Sequence, residues 1–199
     1  MATRDRILEA AHGVMLKQGL TSTTTKEIAR AADLSEAALY KHFADKDDLF
    51  LKMIQARIPQ MVQALRALNE KVGQSTVQAN LESTTQASLA YYFEVLPMVA
   101  ALFAEPALLD RYREALRKEG RGPHLAVELL AGYLRAEQRL KRVRSGAAPE
   151  AAAKLLLGAC FQQAFFCAFW GEPPSPSAAR ALSKALVRPL MDTLAPAGR

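Results

Sequence analysis

Apolar residues recur every three or four positions along most of the chain, and the few Val and Ile residues never alternate with polar ones at period two. The pattern predicts an all-α protein. A first helix runs from about Arg4 to Lys17, with Ile7, Leu8, Ala11, Val14 and Met15 on one stripe, and Gly19 is placed to stop it in a left-handed conformation. The polar run 21–25 interrupts the pattern. Within it Thr24 and Glu27 have the spacing of a capping box, whose hydroxyl and carboxylate satisfy free backbone N–H groups at a helix start. A second, short helix then spans Thr25 to Ala32. After the break at Asp33-Leu34, Ser35 is a good N-cap for a third short helix, Glu36 to Phe43. Asp45 caps a fourth, starting near Lys46 with Asp48 in its first turn and continuing through Leu49, Met53, Ile54 and Ile58 to a kink at Pro59.

Beyond residue 60 the helices lengthen. Breaks at Gly73, Pro97, 120–123, 145–146 and 171–176 place them near 60–71, 76–96, 98–118, 123–140, 149–170 and 177–194, with Pro106 kinking or dividing the third. No flexible linker separates this bundle from the N-terminal part.

Two short helices joined by a tight turn and flanked by longer ones describe a helix-turn-helix that binds DNA. Ile28, Ala29 and Ala32 can pack on Leu34, Leu39 and Phe43, which leaves Glu36, Ala37, Tyr40 and Lys41 on the opposite face of the third helix. Ala37 and Ala38 are small enough to let that helix sit deep in a major groove. An ordinary bundle end that binds protein is the alternative on pattern alone. Charge does not decide between them. The 199 residues carry a net charge of +6, yet residues 1–52 hold eight Lys/Arg against eight Asp/Glu. The surplus gathers at 111–144, where a solvated helix face is the plainer reading than a site for an anion.

Enzyme chemistry finds no foothold. There is no G-x-S-x-G elbow, no phosphate-binding G-x-x-x-x-G-K-[ST] loop, no H-E-x-x-H and no Cys/His metal cluster, so neither catalytic nor metal residues nor a cofactor are expected. Cys160 and Cys167 lie roughly 10 Å apart along one helix, too far for an unstrained disulfide, and read as core thiols. The longest unbroken apolar runs, such as 164–170, fall short of the about 20 residues that span a bilayer, and the charged N-terminus lacks the apolar stretch of a secretion signal. A cytoplasmic protein with no membrane partner is expected.

The residues Ile28, Ala29, Ala32, Ser35, Leu39, Tyr40, His42, Phe43, Lys46 and Leu49 resemble, at their spacing, the signature of the tetracycline-repressor (TetR) family, roughly I-A-x-x-A-G-V-S-x-x-x-L-Y-x-H/Y-F-x-x-K-x-x-L. The resemblance extends upstream to the 6–11 helix and Gly19. One departure from it matters: the family's turn glycine is Asp33 here, a residue that tolerates left-handed backbone better than most. Past about residue 52 only length and helical character agree.

The resemblance implies a helix-turn-helix DNA-binding domain at 1–47 and a helical ligand-binding and dimerisation domain at 48–199. It further implies a homodimer on a palindromic double-stranded DNA operator, released as a repressor by a small-molecule effector, with an activator or a corepressor-dependent repressor as variants. Thr25, Lys26, Tyr40, His42 and Lys46 would hold the phosphate backbone. Glu36, Ala37, Ala38 and Lys41 would read bases, with Ser35 at the edge. Lys41 suits guanine, the alanines suit thymine methyls, and Glu36 either accepts from cytosine N4 or merely caps its helix. A largely hydrophobic effector would meet aromatics such as Tyr92, Phe103, Tyr133, Phe161 and Phe165, though each is equally at home in a core. In the family the last two helices pair across the dimer, which here would use Leu156, Ala159, Gln163, Leu182, Leu186 and Leu190.

Overall fold

The computed structural model describes residues 2–20, 22–172 and 174–196; Thr21 and Pro173, and the side chains of Ile58 and Pro59, lie outside the described residues. Every regular element among them is helical: α1 (Thr3–Gln18), α2 (Thr25–Ala31), α3 (Glu36–Tyr40), α4 (Lys46–Glu70), α5 (Val77–Phe103), α6 (Pro106–Lys118), α7 (His124–Arg139), α8 (Pro149–Trp170) and α9 (Pro176–Leu194). The all-α expectation holds.

Most helix starts are where local chemistry puts them. Ser35 accepts from the Ala38 N–H at 3.2 Å, and Ser175 does the same for Ala178 at the head of α9. α8 begins on Pro149, whose missing N–H costs nothing in a first turn, and ends at Gly171 in the left-handed region (φ 70°). Gly19 stops α1 differently from expectation. At φ 80° and ψ 166° it lies outside the left-handed helical well, in a region essentially closed to side chains.

Two predicted breaks are absent. α4 is one helix through position 59, and α5 continues through Pro97, so the segments expected at 60–71 and 98–103 extend the helices before them. A proline removes one backbone donor and crowds the preceding turn, which weakens a helix without always ending it. Pro106 does divide the chain, and α6 starts on it. α3 is shorter than predicted and leaves Lys41, His42 and Phe43 beyond its end. By length and composition alone α5 and α8 are apolar enough to cross a membrane, contrary to the expectation from their short unbroken apolar runs. Both lie in helical units that bury parts of their surface.

By contacts the chain forms two compact units: 1–58 with 97–118, and 59–96 with 119–199. The sequence boundary at 47/48 therefore falls within the first unit, and α4 and α5 each run from one unit into the other. The first unit packs Ile7, Leu8, Ala11, Ile28, Leu39, Phe43, Leu49 and Phe50 into a closed core. The second centres on Leu65, Leu81, Leu130, Tyr133, Leu134, Ala153 and Val187.

Candidate nucleic-acid interface

The first unit presents α3 on a tightly pinned scaffold. At the start of α2 the capping box is complete: Thr24 Oγ1 accepts from the Glu27 N–H at 3.2 Å, and Glu27 Oε2 accepts from the Thr24 N–H at 2.9 Å. That backbone donor, with the Thr24 hydroxyl and Gln18 amide, holds the Glu27 carboxyl below its ordinary range. At the other end of α2, the Arg6 guanidinium donates to the Ala32 carbonyl at 2.6 Å. The turn into α3 passes through Asp33 at φ 54°, the left-handed position that glycine favours, and Asp fills it.

Between α2 and α3 lies a cluster that the spacing did not foretell. Thr25 Oγ1 donates to Glu36 Oε1 at 2.5 Å and sits 3.2 Å from the Tyr40 hydroxyl. Thr25 is buried, so its hydroxyl serves the α2–α3 junction, and any anion contact at this position falls to backbone. One oxygen of Glu36 is turned back toward α2 by this bond. The cluster fixes the orientation of α3 relative to α2. Only a threonine eleven positions before a first-turn glutamate hinted at it.

The expected outward face is on the surface. Lys26, Ser35, Glu36, Ala37, Tyr40, Lys41 and His42 are exposed, and Ala38 and Lys46 are half-buried. Lys41 and His42 stand in the turn after α3 rather than on it. Lys46 opens α4, whose first turn is acidic: Asp48 donates its N–H to Asp45 Oδ1 at 2.6 Å, and Asp48 Oδ2 accepts from the Ala44 N–H at 3.1 Å. From outside the N-terminal segment, α6 reaches this turn. Arg111 lies 3.6 Å from Asp45 Oδ2 and 3.1 Å from Asp47 Oδ2.

The residues expected to line a pocket are dispersed. Tyr92 meets Phe161 edge-on at 5.7 Å, and burial holds its hydroxyl protonated well above the ordinary tyrosine range. Tyr133 is instead closed in the core, where it accepts from Asn80 Nδ2 at 3.0 Å. Phe165 is exposed, and Phe103 belongs to the first unit with 65% of its surface open. An open groove of about 660 Å³ in the second unit is lined by Thr76, Gln78, Lys141, Arg142 and Met191 among others, and by none of the five. Of the residues expected at the subunit contact, Leu156 is 4% exposed and belongs to its own core, because α8 presents Leu155 (69% exposed) to the outside instead. Ala159, Gln163, Leu182, Leu186 and Leu190 are half-buried. The outer face of α8 also carries Phe161, Phe165, Phe166, Phe169 and Trp170. No group of three or more His, Cys, Asp or Glu side chains among the described residues is placed to hold a metal ion.

Comparison with known proteins agrees with this geometry. Residues 7–53 match the family model described as bacterial regulatory proteins, tetR family. The HTH-type transcriptional repressor BepR of Brucella suis is 34% identical over 164 residues, which cover 78% of this chain and 75% of that protein. A tetR-family transcriptional regulator from Mesorhizobium loti superimposes with a TM-score of 0.77 at 19% identity, covering 97% of this chain and 96% of the other. SmeT, the repressor of the Stenotrophomonas maltophilia multidrug efflux pump SmeDEF, superimposes with a TM-score of 0.71 at 18% identity, covering 100% and 93%. The helix-turn-helix head, the helical body behind it and a relative matched over three quarters of its length lead to one assignment: the chain belongs to the tetR family of bacterial regulatory proteins.

Proposed function

We propose that this regulator is a cytoplasmic transcription repressor that binds a palindromic operator as a homodimer and is released by a small, largely hydrophobic ligand. The observation that carries the reading is the exposed face of α3, where small Ala37, with Ala38 beside it, is flanked by Lys41 and Tyr40, on a head that buries Ile7, Ile28, Leu39 and Phe43. Such a surface can enter a major groove, with Lys41 donating to guanine and the alanine methyls meeting thymine. Lys26, Tyr40, His42 and Lys46 hold phosphates. Thr25 contributes through the start of α2, and Ser35 and Glu36 flank the base-reading set. That the Brucella suis relative is a transcriptional repressor supports the direction of control.

One head makes few contacts, and two heads spaced a turn of DNA apart supply affinity and specificity together. The exposed face of α8, from Leu155 through Phe166 to Trp170, with α9 beside it, is the surface proposed for pairing. Gly158 lies on it with open space where a Cβ would stand, which allows a facing helix to approach closely. The effector is proposed to enter the second unit near Tyr92 and Phe161. By favouring a conformation of the continuous α4 in which the heads no longer match the half-sites, it lowers operator affinity.

The test is selection of bound fragments from the host's genomic DNA by the purified protein, followed by footprinting. A protected palindrome that disappears when Tyr40 and Lys46 are both changed to alanine supports the reading. No enrichment, with or without cell extract to supply a corepressor, rejects it in favour of a protein-binding head.

A further inference from the structure

α4 starts with three carboxylates in four residues, Asp45, Asp47 and Asp48, around a single ammonium, Lys46. For the helix this is favourable, since acidic side chains complement the positive end of the dipole and Asp45 caps the first turn. For a polyanion approaching the same turn it is unfavourable, because uncompensated carboxylates repel phosphate over distances of a Debye length. Two cations answer it. Lys52, one turn along, lies 3.6 Å from Asp48. Arg111 comes from α6, far away in sequence, and its guanidinium bridges Asp45 and Asp47 through separate nitrogens. Arg111 and its two partners are all about half exposed, so this bridge gives little to folding. Its position gives it another role.

We infer that Arg111 is a positioning residue for DNA binding: by neutralising Asp45 and Asp47 it makes the first turn of α4 compatible with a phosphate held at Lys46. It acts through the two aspartates, and the DNA-binding element thereby includes a residue of α6. The inference rests on the DNA-binding reading above.

The test is a mutant cycle on the full chain, binding the duplex recovered by the genomic selection and, as a sequence-independent probe, a mixed-sequence duplex of similar length. Arg111→Ala is expected to weaken binding by about fivefold to tenfold at low salt, and Arg111→Lys to recover most of the loss. In an Asp45→Asn, Asp47→Asn background, which keeps the capping side chain at 45, Arg111→Ala is expected to change binding less than twofold. Thermal melts of all variants check that folding is unchanged. Arg111→Ala binding as tightly as the parent overturns the inference. An equal loss in both backgrounds also overturns it, since Arg111 would then touch DNA directly. A parent that binds neither duplex removes the DNA-binding reading itself, an outcome distinct from these two.

Discussion

Glu137 is wholly buried, and donors from two other segments face its carboxyl. Its Oε1 accepts from the Gly73 N–H at 3.1 Å, and the Arg142 guanidinium lies 3.3 Å from Oε2, held there by charge more than by an aligned hydrogen bond. Arg142 also donates to the Ser75 carbonyl, so one side chain ties the end of α7 to the turn between α4 and α5. Removing one member of a buried pair strands the other. Arg142→Ala is expected to lower stability by about 2–4 kcal/mol in urea unfolding, against about 0.5 kcal/mol or less for Arg113→Ala, whose pair with Asp110 is exposed. Tyr133, one turn before Glu137, gives a pH dependence. Burial raises its hydroxyl from 10.0 to about 12. Below pH 10 the group is neutral in both folded and unfolded chains and costs nothing; between pH 10 and 12 only the unfolded chain ionises, so stability falls as pH rises. Tyr133→Phe gives up the Asn80 hydrogen bond, about 1 kcal/mol at pH 7, but should flatten the alkaline decline measured by denaturation at pH 9 and pH 11. Asp33 offers the opposite case. Glycine at its φ of 54° carries no Cβ penalty, and Asp33→Gly is expected to raise stability by about 0.5–1 kcal/mol, read as a higher melting temperature.

At the scale of the element, α2 depends on its cap because it has only 7 residues and most of its amide donors lie in its first turn. Thr24→Ala is expected to cost about 1 kcal/mol and to weaken DNA binding alongside, measurable by thermal melting and by retention of the selected duplex. The caps at Thr24, Ser35 and Asp45 were legible in the sequence because capping is settled within four residues. The same locality made the order of the first four helices legible. What escaped was whatever depends on partners elsewhere in the chain. Pro97 reads as a break, but tertiary packing retains α5 across it. α8 is apolar nearly all the way round, so periodicity alone does not say whether Leu155 or Leu156 faces the core. The Thr25–Glu36–Tyr40 cluster and the reach of Arg111 to Asp47 tie α2 to α3 and α6 to α4 across 11 and 64 positions, and no window along the chain registers them.

At the scale of the whole molecule the main asymmetry is the aromatic surface of α8. Phe165, Phe169 and Trp170 meet in succession at 6.1 and 5.1 Å, the last pair edge-on, and Trp170 is 71% exposed. A patch of this kind on a lone protein is an aggregation hazard, and a second copy is the occupant proposed above. Phe166→Glu is expected to shift the protein from dimer to monomer in sedimentation and to abolish retention of the palindrome, while leaving helical content unchanged. The same helix carries two thiols of contrasting character. Cys160 is sealed in the core, its thiol pushed up to about 12 by burial, whereas Cys167, two turns further on, is half-buried. An alkylating reagent is therefore expected to reach Cys167 first and to find Cys160 only when the core opens. The chain thereby carries its own chemical clock: the delay between labelling at Cys167 and at Cys160, followed without any introduced probe, would time how often the helical core opens.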